Sequence, residues 1–356
     1  MKRFHLFFIN SLLIFGSTAV FFGVMEIVLR LTVYNFSNYP VSPGPGSVYQ
    51  INTSEFKTDV RINLANLRGA EIPEKREGEY RILCIGDSFT FGLGVNEEDS
   101  YPAVLEKALR PFFPSVTVIN GSYGRAAKEE YDFLAQTGLN LKPDLVIIQV
   151  YVGNDFYDNL LYSNPAMKGK IKEQKNSLLR ALLNWKGLLK EHSKVLDFLW
   201  RRLIQIRYVD DWLYRTGLRY SDRGIFLRNY PALENQLAGS EIAQLSRLHE
   251  LLKSSHVEEA AILVPSKEQV FKKKLLIDSK YDYRKPNVLL KDFFRKNDIA
   301  FLDLLDVYET MPSSELKKLY YLQDMHWTIA GNRQAALSVA EFLKPWLAAW
   351  KVELKT

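Results

Sequence analysis

Cysteine is all but absent from this chain. Of 356 residues only Cys84 carries a thiol, which excludes an intramolecular disulfide framework and a cysteine-based zinc site. Histidine is also scarce, with five residues: His5, His192, His249, His256 and His326. No His-Glu-x-x-His pair occurs, and no cluster of ligand residues goes beyond Asp324 with His326, so no metal is expected. Gly86, Gly92 and Gly94 do not build a phosphate-binding loop with a lysine, so no nucleotide or other cofactor is expected. A formal net charge of +6 is modest for this length and does not point to nucleic acid as a partner. Internal repeats and low-complexity tracts are missing too.

What is present is enough for a full core. Hydrophobic residues make up 47% of the chain and charged residues 25%, the proportions of a globular protein, and the length suits one large domain or two smaller ones. The amino terminus differs from the rest. Lys2 and Arg3 precede an almost uninterrupted apolar run from Phe4 to Met25, which resumes at Ile27-Val28-Leu29. A run of roughly 20 such residues crosses a bilayer as a helix, and the flanking basic pair stays on the cytoplasmic side. A signal peptide cleaved near Ser17-Thr18-Ala19 is the rival, but the run continues well past that point and favours an uncleaved anchor. Residues 1–33 are therefore read as a single-pass signal anchor. The remainder is read as lying outside the cytoplasm.

Residues 34–78 read as a tether leading into the domain, with Pro40, Pro43, Gly44, Pro45 and Gly46 opposing regular structure and Glu71–Glu79 solvated. Strand and helix signals then alternate from residue 79 to the carboxyl end. Tyr80–Ile85, Val116–Asn120, Leu145–Tyr151, Ala260–Val264 and Ile299–Asp303 are nearly continuous apolar runs, as expected of parallel strands covered on both faces. Helices are expected over Tyr101–Leu109, Lys128–Leu139, Leu233–Ser254, Pro286–Lys296 and Ala330–Trp346. This alternation is that of a doubly wound α/β sheet. Residues 156–230 interrupt it with a long basic insertion, expected to be helical around Ser177–Ile206. It reads either as a lid or lipid- or polysaccharide-facing surface, or as an amphipathic helical pair with a solvated basic face; the second, plainer reading is preferred.

Three short motifs carry the chemistry: Gly86-Asp87-Ser88, Gly153-Asn154-Asp155 and Asp324-Met325-His326-Trp327. Ser88 follows a buried strand, where open α/β folds expose their reactive groups, although capping of a helix would explain it equally. A serine nucleophile needs a base, and His326, with Asp324 two residues before it, is the candidate that stands apart. His249 and His256 fall on or beside an amphipathic helix and read as surface residues, while helix capping by Asp324 or Thr328 is the alternative for the third motif. Asn154 ends the third strand and carries an amide donor suited to an oxyanion; Gly124, after the second strand, could add a backbone N–H. Lys267, in Pro265-Ser266-Lys267-Glu268 at another strand end, reads as solvated.

These blocks resemble the SGNH, or GDSL, hydrolase superfamily over roughly residues 79–347. The first block matches Gly86-Asp87-Ser88, the second Gly124, the third Gly153-Asn154-Asp155 and the fifth Asp324 with His326. The resemblance implies a flavodoxin-like three-layer α/β/α fold and a serine esterase or O-acyltransferase. Ser88 would be the nucleophile, His326 the base and Asp324 its orienting partner, with the Ser88 amide, Gly124 and Asn154 forming the oxyanion hole. Two positions depart from the pattern. The commoner aspartate three residues before the histidine is Gln323 here, and the Asp-x-His-Trp form is instead similar to SGNH-like domains of alginate O-acetyltransferase machinery and of membrane-anchored bacterial relatives. The second block is short, leaving Gly121 as a rival to Gly124. The anchor would hold such a site near envelope polysaccharide, peptidoglycan or lipid, whose acyl esters are the expected substrates, at a bacterial cell membrane with the catalytic domain periplasmic or extracellular. A catalytically silent scaffold or binding protein of the same fold, its insertion a partner surface for an envelope complex, is the alternative.

Overall fold

A computed structural model of the chain describes residues 2–32, 44–53, 55–122, 127–163, 192–203, 209, 222–230, 232–271, 279–322 and 324–353. They fall into two compact units. The smaller contains helix α1 (Lys2–Thr32) and helix α6 (Lys194–Leu203). Within α1, Ile9–Leu31 is a 23-residue stretch of mean hydropathy 2.2, long and apolar enough to cross a bilayer.

The larger unit is built on five parallel strands: β3 (Tyr80–Ile85), β4 (Val116–Asn120), β5 (Leu145–Tyr151), β6 (Glu258–Val264) and β7 (Ala300–Asp303). Their order across the sheet is β4-β3-β5-β6-β7, the flavodoxin-like doubly wound arrangement. Registers such as Cys84 beside both Asn120 and Ile147, and Tyr151 beside Val264, bring the carboxyl ends of the central strands to one edge. Every residue of β3 and β5 is buried, because helices cover both faces. Side chains alternate between two cores. Ile82, Cys84 and Ile147 pack on α3 (Tyr101–Leu109) and α12 (Ile329–Glu353) through Leu105, Leu109, Val339 and Leu343. Leu83, Ile85, Val146 and Ile148 pack on α4 (Ala127–Gln136), α5 (Asp155–Ser163), α7 (Ala232–Ser254) and α9 (Lys285–Lys296) through Leu134, Phe156, Leu248 and Phe294. The three-layer α/β/α expectation holds.

The stretch expected to be tether contributes more than a connection. Within it β1 (Val48–Asn52) and β2 (Lys57–Arg61) pair, and Phe56, Val60 and Ile62 form a small core of their own. Glu79, expected to be solvated, is buried because it forms a 2.7 Å ion pair with the buried Arg81, which also donates to the carbonyls of Leu141 and Pro73. Of the insertion at 156–230, only α5, residues 192–203, residue 209 and residues 222–230 are described.

Candidate active site

The nucleophile position is set by the end of β3. After Ile85 the chain passes through Gly86, where an added Cβ would lie 2.4 Å from both Gln149 Oε1 and Thr90 Oγ1, so only glycine fits. Helix α2 (Ser88–Phe91) begins at once, and its cap is Asp87: the Asp87 carboxylate accepts from the Phe89 N–H at 2.9 Å. Ser88 is thus the first helical residue rather than the cap, and its N–H is a first-turn amide with no intrahelical acceptor. Gln149 of β5 holds the turn from below, its Oε1 accepting from the Asp87 N–H (3.1 Å) and the Thr90 hydroxyl (2.9 Å).

The short helix is gripped at its far end by Arg68. This guanidinium, 3% exposed, donates to the carbonyls of Phe91 (2.6 Å), Gly92 (2.7 Å) and Val95 (2.6 Å), and lies over the Phe91 ring. A cation at a helix carboxyl terminus satisfies carbonyls that have no helical partner. Burial brings the Arg68 guanidinium down to about 10, against the raising effect of the Glu97 carboxylate.

His326 comes from the loop between α11 (Ser313–Leu319) and α12. Two backbone bonds close this loop into a hairpin-like turn, Tyr321 N–H to the His326 carbonyl and Thr328 N–H to the Leu319 carbonyl. Trp327, 1% exposed, anchors it by packing edge-on against Phe89, whose ring also lies 5.1 Å from the His326 ring. Close packing here demands Gly331, since a Cβ would sit 2.1 Å from the Leu319 carbonyl oxygen. A second clamp mirrors Arg68. Lys267, in helix α8 (Lys267–Phe271), donates to the carbonyls of Tyr321 (2.6 Å), Leu322 (2.9 Å) and Asp324 (3.1 Å), while the Asp324 N–H donates to Glu55 at 2.7 Å. Lys267 is therefore not a solvated lysine: the turn presents its carbonyls to it, and burial lowers its affinity for a proton.

The geometry joins three of the expected residues. Ser88 Oγ lies 2.6 Å from His326 Nε2, and His326 Nδ1 lies 2.5 Å from Asp324 Oδ1. The same carboxylate oxygen accepts the His326 N–H at 2.8 Å. Burial pushes the Asp324 carboxyl up, but these contacts with His326 outweigh it and hold the group below its ordinary value. Asp324 caps no helix; the start of α12 is served by Thr328, which accepts from the N–H groups of Gly331 and Asn332. With Nδ1 protonated toward Asp324, Nε2 is left as an acceptor for the Ser88 proton.

The remaining expected residues fare differently. Asn154 stands in the turn between β5 and α5, and its amide donates to the Asp158 carboxylate. Gly121 does not supply a free amide: its N–H is consumed by the Cys84 carbonyl at 2.8 Å. Gly124 lies outside the described residues. Asp155 accepts from the Tyr151 N–H and so closes the strand end. His249, expected at the surface, is instead buried, with its Nδ1 in hydrogen-bond contact with the Glu259 carboxylate of β6 beneath α7. Sequence reasoning missed Arg68, Glu55 and Gln149, which act on backbone groups distant in the chain and leave no local pattern.

Residues 209–352 match the family model described as the SGNH hydrolase-like domain of acetyltransferase AlgX, which bears out the resemblance read from the motifs. That match includes Asp324 and His326 and stops short of Ser88. No curated protein matches the chain. Among solved structures, a protein assigned to the lipolytic G-D-S-L family from Desulfitobacterium hafniense DCB-2 is similar at 16% identity and a TM-score of 0.41, covering 74% of this chain and 100% of its own. A lipase/acylhydrolase from Enterococcus faecalis is similar at 11% identity and 0.42, covering 75% and 96%. A two-domain esterase active on acetylated mannans is similar at 13% identity and 0.40, covering 76% and 52%.

Proposed function

We propose that the protein is a membrane-anchored serine esterase or O-acyltransferase that works through an acyl-serine intermediate. The observation that carries this reading is the relay Ser88 Oγ–His326 Nε2–His326 Nδ1–Asp324, with its 2.6 Å and 2.5 Å contacts. Ser88 Oγ attacks the carbonyl carbon of an ester while its proton passes to His326 Nε2. Asp324 stabilises the resulting imidazolium. The negative charge that develops on the carbonyl oxygen is taken up by the Ser88 N–H, Asn154 and Gly124. Collapse breaks the bond to the alcohol, which leaves with the proton from His326, and the acyl group stays on Ser88. Water or a sugar hydroxyl then gives its proton to His326 and attacks the acyl-serine, restoring the enzyme.

The match to an acetyltransferase domain supports acetyl as the acyl group, and an anchored site would meet polysaccharide, peptidoglycan or lipid of the envelope as its substrate. Helix α1 would hold the catalytic unit at the outer side of a bacterial cell membrane, with Lys2 and Arg3 inside. A fluorophosphonate probe tests the nucleophile: the wild type should be labelled and Ser88→Ala should not. Folded wild-type protein that is never labelled and does not turn over aryl acetates would favour a silent scaffold.

A further inference from the structure

Glu26 is the one carboxylate in the apolar stretch Ile9–Leu31, and it is fully engaged. Its oxygens accept from the N–H of Lys194 (2.9 Å), the N–H of Val195 (2.9 Å) and the Ser193 hydroxyl (2.9 Å). Arg30 Nε donates to it at 2.8 Å, and Arg30 Nη2 reaches the His192 carbonyl at 2.8 Å. Ser193 in turn caps α6, its Oγ accepting from the Leu196 N–H at 3.2 Å. The first turn of α6 is thus seated on the last turns of α1 by a carboxylate at a helix amino terminus, the favourable sign for that position.

This contact fixes the depth of α6 relative to a bilayer. At ~1.5 Å per residue, Ile9–Leu31 spans about 35 Å, slightly more than the roughly 30 Å hydrocarbon core. Glu26, five residues before Leu31, lies about 8 Å from the end of that stretch, where hydrocarbon gives way to headgroups. An ionised side chain at that level needs partners, and α6 supplies them. Helix α6 exposes a row of apolar side chains: Leu196, Leu199 and Leu203, 40%, 42% and 43% exposed, recur at helical spacing on one face, with the exposed Arg202 beside them. The stretch around it is basic, with 11 lysines and arginines against 3 acidic residues over 168–207. Apolar side chains in a strongly basic setting at this depth match anionic lipid.

We propose that α6 is an interfacial helix, docked to the anchor through Glu26, that lays Leu196, Leu199 and Leu203 into the surface of an anionic bilayer. The inference rests on α1 being the membrane anchor. It gives that segment of the insertion a lipid-binding role, in place of the solvated face preferred from the sequence.

The chain offers a clean test, because its only cysteine, Cys84, is fully buried. The full chain would be reconstituted in vesicles of phosphatidylcholine with phosphatidylglycerol. An environment-sensitive fluorophore would be placed singly at Leu196→Cys, Leu199→Cys or Leu203→Cys, with Phe15→Cys marking the anchor and the exposed Leu64→Cys the control. Labels on α6 should be blue-shifted and quenched several-fold more than the Leu64 label by lipids carrying a nitroxide near the headgroup. The Phe15 label should respond to a deeply placed nitroxide. A water-like signal at all three α6 sites with a quenched Phe15 label overturns this inference alone. A water-like Phe15 label removes the anchor and the inference together. Equal quenching in purely zwitterionic vesicles overturns the requirement for anionic lipid.

Discussion

The two halves of the candidate site are held by the same device in different settings. On the nucleophile side, Arg68 donates to the carbonyls of Phe91, Gly92 and Val95 at and just beyond the end of α2; on the histidine side, Lys267 donates to three carbonyls of the turn carrying His326. The nucleophile half grows directly from the buried strand β3 and adds a guanidinium that is itself inside the core. The histidine half is a loop closed by two backbone bonds and pinned by Trp327, with a flexible, part-exposed ammonium as its clamp. A planar fork fixes several carbonyls at once, whereas an ammonium on a four-carbon stem holds them less rigidly. The Ser88 side should therefore be the fixed reference and the His326 side the adjustable one.

The largest expected effect comes from the link within the histidine side. Asp324→Asn keeps a side chain of the same shape but no longer stabilises the imidazolium or enforces its tautomer, and kcat on an aryl acetate should fall about 10³–10⁴-fold. A fall under tenfold would mean that Asp324 orients the loop rather than the base. Breaking the other side should cost stability first. Arg68→Met strands buried carbonyls and should lower the unfolding free energy by about 3–5 kcal/mol, measured by denaturant titration. Lys267→Met should invert that pattern, with kcat down about 10–100-fold and a change in Tm of only a few degrees, since misplacing a base by a fraction of an ångström costs rate rather than fold. Equal losses of stability in the two variants would erase the proposed difference between the halves.

The smallest effect concerns acids behind the nucleophile. Glu241, which accepts from Asn159, is pushed up to about 7 by burial, and burial likewise raises Glu130 and Asp155 well above the carboxylate range. Asp87 beside Ser88 is raised to about 6 by burial, against the lowering effects of the Phe89 N–H and His326. A carboxyl whose folded value is raised binds its proton more tightly folded than unfolded. Its stabilising contribution is complete below the unfolded value near 4.5 and is lost as pH rises through about 7. Glu241→Gln should therefore raise Tm by a few degrees at pH 8, leave it nearly unchanged at pH 5, and flatten the slope between them.

Much of the fold was legible because its signals are local. The strands are short apolar runs stopped by Gly86, Gly121 or Pro265, and the observed β3, β4 and β5 coincide with the residues expected. Ser88, Asp324 and His326 were legible because each sits at a strand end or before a helix, where the topology leaves room for chemistry. The supports were not. Arg68 meets its carbonyls 23 to 27 positions along the chain, Lys267 acts across 54 to 57, and Glu55 across 269. Such contacts follow from tertiary packing and leave no periodicity. The same cause misled the readings of Lys267 and Glu79, whose charge suggested solvent, and of His249, whose amphipathic helix suggested it, although each has a partner inside.

Mass spectrometry of Ser88 after exposure of the protein to native envelope extracts probes the acyl-serine itself. A Ser88-containing peptide heavier by one acyl group, accumulating in wild type and absent from Ser88→Ala, is the expected result, and the added mass names the donor. An unmodified Ser88 peptide in a protein that nevertheless removes or transfers acyl groups would contradict the mechanism.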